Sequence, residues 1–106
     1  MGKETRSIIT EYMNLCLVCG NPNVEVHHVI HGTANRKYAD ADGLVVPLCP
    51  EHHRGNNGVH GHNNAFDVAL EIIGQIAWER KKIADTGMDI EEVRKEFRKR
   101  YGQSWI

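Results

Sequence analysis

The chain is expected to fold as an α+β domain, a β-hairpin clamped at its base by two zinc knuckles and followed by two C-terminal helices. Three observations point there. All three cysteines and all seven histidines lie between Cys16 and His62. Two short valine-rich runs, Val24–Ile30 and Leu44–Leu48, sit between the two cysteine-bearing turns. From Asn63 onward, apolar residues recur at helical spacing instead.

At 106 residues, one small domain is expected, in the size range where a metal or a partner supplements a marginal core. No apolar run is long enough to span a bilayer, and the N-terminus lacks the apolar centre of a signal peptide, so no membrane partner is expected. Three cysteines, two of them as Cys-x-x-Cys, suit metal ligation in a reducing interior better than a disulfide framework. A cytoplasmic, intracellular setting follows as the expectation. The formal net charge of −1 argues against tight, charge-driven binding to nucleic acid, although bound divalent cations would change the local sign.

In chain order, Met1 to Arg6 reads as a polar, loose start. Ser7 to Leu15 suits a short helix or strand, with Ile8, Ile9, Tyr12 and Leu15 at roughly helical spacing. Cys16-Leu17-Val18-Cys19-Gly20 is the first knuckle, its tight turn supplied by Gly20 and Asn21-Pro22. Val24 to Ile30 alternates as a strand with Val24, Val26, His28 and Ile30 on one face. Neighbours on a strand point to opposite sides, so His27 and His28 cannot face one ligand unless the backbone bends.

Gly32 to Gly43 is polar and turn-rich and reads as a loop or irregular hairpin connection. Leu44 to Leu48 is the second strand, with Pro47 at an edge or near its end. Cys49-Pro50-Glu51-His52-His53 is the second knuckle, and Arg54 to Gly61 reads as loop. Asn63 or Asn64 caps a helix carrying Phe66, Ala69, Leu70, Ile73, Ile76 and Ala77 on its apolar stripe; it runs to about residue 84, with Asp85-Thr86-Gly87 as the stop. Asp89 opens the last helix, with Glu92 in the capping-box position. Ile90, Val93, Phe97 and Tyr101 form its buried stripe, and Arg94, Lys95, Arg98, Lys99 and Arg100 its solvated or DNA-facing surface. Trp78 and Trp105 read as core or interface residues. The apolar surface of these two helices leaves room for a homodimer.

Cys16, Cys19, Cys49 and His52 make a C-x2-C…C-x2-H pattern. Four N/S ligands in two close pairs are what a closed tetrahedral Zn2+ site needs, and His53 is the alternative fourth ligand. Such a site contributes on the order of 10 kcal/mol to folding. The remaining histidines then need a role. Phosphodiester hydrolysis needs a base to activate water and a cation to stabilise developing negative charge. A neutral imidazole suits the first task and can ligate the cation for the second. His28 is the candidate base, and His27, His53 and His60 are the candidate ligands. His31 reads as a surface or substrate-side residue and His62 as a non-ligand at the helix start. Arg36 and Lys37 are candidate phosphate contacts.

Cys-x-x-Cys, a strand ending His-His-Val, and a strand running into Leu-Cys-x-x-His-His resemble the zinc-containing HNH endonucleases over about residues 16 to 80. The resemblance implies the ββα-metal fold, a nuclease core over 16–84 with a further helix at about 89–101, and DNA as substrate. It implies one catalytic divalent cation (Mg2+, Mn2+, Ni2+ or Zn2+). Small members are common in bacteriophage genomes, which implies a phage or prophage gene acting inside a bacterial host. By position, His28 matches the general base, His27 the metal ligand before it, and His53 the final motif histidine. The family's middle Asn, which braces the loop holding the base, is replaced by Asp42 and Gly43; Asn35, Asn56 and Asn57 are the possible substitutes. The competing reading is a zinc-stabilised DNA- or protein-binding module that cuts nothing.

Overall fold

The computed structural model describes residues 6–106; most of the expected loose start at Met1 to Arg6 lies outside them. The α+β expectation holds. In chain order come β1 (Glu25–His28), α1 (Thr33–Asp42), β2 (Val45–Leu48), α2 (Pro50–His53), α3 (Asn64–Thr86) and α4 (Ile90–Tyr101). The two strands pair antiparallel, with His27 opposite Val46 and His28 opposite Val45.

The connection between the strands corrects the sequence reading. Residues 33–42 are a helix, not a loop. The flanking Gly32 and Gly43 and its own Asn and Asp residues suggested turns, but Ala34, Arg36, Lys37, Ala39 and Ala41 are good helix formers, and Ala39 is fully buried against the core. Gly43 ends α1 in the left-handed conformation (φ 73°). A Cβ there would also sit 3.2 Å from the Arg6 carbonyl oxygen, so glycine is needed both for the turn and for the passing chain. Residues 7–15 form bends and turns, neither helix nor strand. Ile8 N donates to Gly43 O at 2.9 Å, and Leu17 N donates to Pro47 O at 2.9 Å. The first knuckle thus covers the outer edge of β2, where Pro47 has no N–H to offer.

β1 turns His27 inward and Val26 outward. Val26 is 43% exposed and His27 is 1% exposed. The strand stops at His28 and the chain bends at Val29 and Ile30, so both of these are buried in succession.

The core lies between the hairpin and the two long helices, around Leu44, Val46, Leu48, Leu70, Trp78 and Phe97. α3 approaches closely at Gly74, where a Cβ would stand 2.6 Å from Val29 Cγ2. The buried stripe of α3 is rotated from the expected one: Ile73 and Ile76 are exposed, whereas Glu71, Gln75 and Glu79 are buried. Gln75 and Glu79 are satisfied by a network. Gln75 Nε2 donates to Glu79 and to Ser104, the Trp105 N–H donates to Gln75 Oε1, and Arg94 donates to both Glu79 oxygens. A buried polar cluster of this kind is stable only when its members pair.

Asp42 does similar work between helices. Trp78 Nε1, the Arg100 guanidinium and the Tyr101 hydroxyl all donate to its carboxylate, at 2.5 to 3.0 Å. It therefore ties α1 to α3 and α4 and makes no bond to His28. On α4, Val93, Phe97 and Tyr101 are buried as expected, but Ile90 is exposed. Asp89 is the N-cap residue without a side-chain cap bond, and Glu92 lies 3.6 Å from Lys95 instead of completing a capping box. The basic surface of α4 is partly spent inward, with Arg94 and Arg100 both paired to acids. No described helix is long and apolar enough to cross a membrane.

Candidate metal centres

The two knuckles bring Cys16, Cys19, Cys49 and His52 together, with one ligand atom from each lying within 4.8 Å of the others. His52 Nδ1 is 3.8 Å from Cys16 Sγ and 3.2 Å from Cys49 Sγ, and Cys19 Sγ is 3.7 Å from Cys49 Sγ. Ligands of a tetrahedral cation bound at about 2.3 Å stand about 3.8 Å apart, so the set fits a metal such as zinc. α2 delivers two of the four: Cys49 is its N-cap and Pro50 starts it. His52 N and His53 N both donate back to Cys49 O, which turns His52 under the sulfurs. The cysteines are not joined in disulfides. Burial pushes the Cys16 thiol up, but hydrogen bonds from the backbone of Cys49, Cys19 and Val18 outweigh it and bring its pKa to about 6. The thiolate is the form that ligates.

His53 turns away from that group. Its Nδ1 lies 2.7 Å from Glu25 Oε1, and Arg54 holds the same carboxylate with its Nε at 3.0 Å and a second contact from Nη2. The hydrogen bond from His53, then those from Arg54, hold the Glu25 carboxyl below its ordinary range. With Nδ1 engaged, His53 presents Nε2 to its neighbours, the arrangement by which a carboxylate orients a ligating imidazole.

Those neighbours are His27 and His60. The three rings meet with centroids 4.8 to 5.1 Å apart, and their ligand atoms form a second group within 4.8 Å. Among the described residues, His27 Nε2 is the buried side-chain polar atom left without a hydrogen-bond partner. An orphaned buried nitrogen facing other imidazoles is what a cation would satisfy. Burial first, then the neighbouring histidines, lower the His27 pKa to about 3. The same two causes lower that of His60. Both rings are thus kept neutral, with a lone pair free for a metal.

A cavity of about 330 Å³ opens over this group, lined by His27, His28, His31, Arg36, His53 and His60 among others. His27 and His28 share it despite facing opposite sides of β1, because the strand ends there and the chain bends. His28 Nε2 is bonded to Asp40 Oδ1 at 2.7 Å, one strand residue held by one turn of α1. Arg36 lies one helical turn before Asp40 on α1 and also reaches the cavity. Lys37 does not line it; its Nζ sits 5.2 Å over the Tyr38 ring.

Asn35 is the asparagine that steadies the segment after His28, donating to His31 O at 3.1 Å and to Tyr101 O at 3.2 Å. Asn57 reaches Glu51 instead. His62 is exposed near the start of α3 and joins neither metal group. The acidic partners Glu25 and Asp40 escaped sequence reasoning. Glu25 lies two residues before His27, hence on the same side of the strand, and that was the available signal.

Compared with protein-family models, with curated proteins and with solved structures, the chain shows no significant match in any of the three.

Proposed function

We propose that this protein is a metal-dependent endonuclease of the HNH class that hydrolyses phosphodiester bonds of DNA, encoded by a phage or prophage. The supporting observation is the shared cavity. A histidine held by a carboxylate, His28 with Asp40 at 2.7 Å, opens onto the same space as a three-histidine metal group and one arginine.

The division of labour follows from the donors. Cys16, Cys19, Cys49 and His52 hold a structural zinc that fastens the knuckles to the hairpin. His27, His53 and His60 hold the working cation, and the orphaned His27 Nε2 is the atom that fits it best. When bound, that cation supplies charge stabilisation for the phosphorane-like transition state and the leaving oxygen. Asp40 occupies His28 Nε2 and fixes the ring, leaving Nδ1 as the nitrogen that takes a proton from the attacking water. The imidazolium so formed is stabilised by the same carboxylate. Arg36 pairs with a non-bridging phosphate oxygen and orients the strand.

Incubation of supercoiled plasmid with the protein and each of Mg2+, Mn2+, Ni2+ and Zn2+ tests this. Relaxed or linear product is expected with at least one cation and none with chelator. A protein inert with all four overturns the assignment.

Exposed Ile73 and Ile76, with the half-buried Ile8 and Ile9 beside them, support a homodimer through the helical face. Light scattering that finds a monomer at tens of micromolar would remove that part of the reading.

A further inference from the structure

His31 lines the histidine cavity, and Asp67 stands behind it as its hydrogen-bond partner. His31 follows the bend after β1, and Asp67 stands in the first turn of α3. They belong neither to the knuckles nor to the His27–His53–His60 group, yet they sit against it. His31 Nε2 lies 2.6 Å from Asp67 Oδ1. The His31 ring centroid is 5.6 Å from that of His27 and 5.6 Å from that of His60. One ligand atom each from His27, His31 and Asp67 lie within 4.8 Å of one another.

We propose that His27, His31 and Asp67 form a second seat for a divalent transition-metal cation, alternative to the His27–His53–His60 seat and sharing its buried imidazole. This rests on the proposed function only in taking His27 as a ligand.

Two considerations decide the form of the seat. First, His27 Nε2 is the unsatisfied buried atom, and one nitrogen lone pair binds one cation. The seats are therefore occupied one at a time and not as a two-metal centre. Second, ligand atoms at about 2.1 Å around an octahedral cation stand about 3 Å apart. The hydrogen bond between His31 and Asp67 need widen by only a few tenths of an ångström to admit the ion. The carboxylate then changes from hydrogen-bond acceptor to metal ligand, and His31 ligates through an unprotonated Nε2 with its ring proton on Nδ1.

The donor chemistry selects the cation. Two imidazoles and one carboxylate suit zinc, nickel, cobalt or iron(II), whereas Mg2+ and Ca2+ favour oxygen donors. The three-histidine seat is still richer in nitrogen. A cation moving between them exchanges two neutral imidazoles for one imidazole and one carboxylate. The net charge around the ion falls by one while His27 keeps hold of it.

Cobalt(II) titration followed by visible absorption and by calorimetry, on protein whose Cys/His group is already loaded with zinc, tests the proposal. The wild type should take up one cobalt per chain beyond the zinc. The double variant His53→Gln/His60→Gln should still take up one, through the second seat, with a changed ligand-field spectrum. His31→Gln/Asp67→Asn should also take up one, through the first seat. The fourfold variant should take up none, with circular dichroism confirming that each protein is folded. A folded His53→Gln/His60→Gln protein that binds no cobalt overturns the second seat, and so does a fourfold variant that binds as the double variant does. Two cobalt ions in the wild type overturn the sharing of His27. A chain that binds cobalt as expected but never cleaves DNA leaves this seat standing and removes only the nuclease reading.

Discussion

His52 and His53 are adjacent in sequence and serve different groups: Nδ1 of His52 lies 3.2 Å from Cys49 Sγ, and Nδ1 of His53 lies 2.7 Å from Glu25 Oε1. One short helical turn splits them, because successive residues on a helix point about 100° apart. His52→Ala should lose the tightly held zinc and, with it, stability on the order of several kcal/mol. His53→Ala should keep about one zinc per chain. Metal analysis of the two reduced proteins checks this, and zinc loss in both, or in neither, contradicts the split.

Asp40 is bonded to His28 and belongs to none of the groups that could hold a metal. Asp40→Asn should slow cleavage by about 10- to 100-fold, less than the 10²- to 10⁴-fold loss expected for His28→Ala. It should leave cation affinity unchanged. Loss of cation binding in Asp40→Asn would assign the carboxylate to the metal instead.

Glu25 stands behind His53. Glu25→Gln should weaken binding of the second cation by about 10- to 100-fold and leave the zinc in place. Unchanged affinity would mean that the Glu25–His53 pair only joins β1 to α2.

The pH dependence of stability carries the mark of His27. Its pKa is about 3 in the folded chain against an ordinary 6.5. Between those values the unfolded chain binds a proton that the folded chain refuses. The contribution is therefore fully present above about pH 6.5 and is lost as pH falls toward 3. Denaturant unfolding of protein carrying zinc alone should show the loss across that window, and His27→Phe should show less of it. Equal slopes for the two proteins contradict the buried, neutral state.

Gly74 sits where α3 crosses Val29. A Cβ 2.6 Å from Val29 Cγ2 meets a stiff, fully buried side chain. Gly74→Ala should therefore cost about 1–3 kcal/mol, outweighing the roughly 1 kcal/mol that alanine gains over glycine in a helix. Adding Val29→Ala should recover part of the loss. A Gly74→Ala protein as stable as the wild type would contradict the close approach.

The groups that could hold a metal were legible because their donors are rare residue types at telling spacings. Cys16, Cys19, Cys49 and His52 announce themselves in the chain, and so do His27, His53 and His60. The long helices were legible for a similar reason, since their apolar period is sustained. The face of α3 was misread because Gln75 and Glu79 are buried only through partners elsewhere, Arg94, Ser104 and the Trp105 backbone, which no local pattern reveals. The acidic partners were missed for the same reason. Asp67 pairs with a histidine 36 residues away, and an aspartate in a first helical turn looks like any other. Asp40 was hidden by the reading of 33–42 as loop. A helix there would have put Arg36 and Asp40 on one face, four residues apart.

In the proposed function, His28 is the base and the His27–His53–His60 group the cation seat of one hydrolytic site. Single-turnover nicking of supercoiled plasmid, with zinc-loaded wild type, His28→Ala and His53→Ala under saturating Mn2+ or Ni2+, tests it most directly. The wild type should nick, His28→Ala should bind the cation normally but lose at least about 10²-fold in rate, and His53→Ala should lose rate, keeping a cation only through the His27–His31–Asp67 seat. A His28→Ala protein that nicks at the wild-type rate would contradict it.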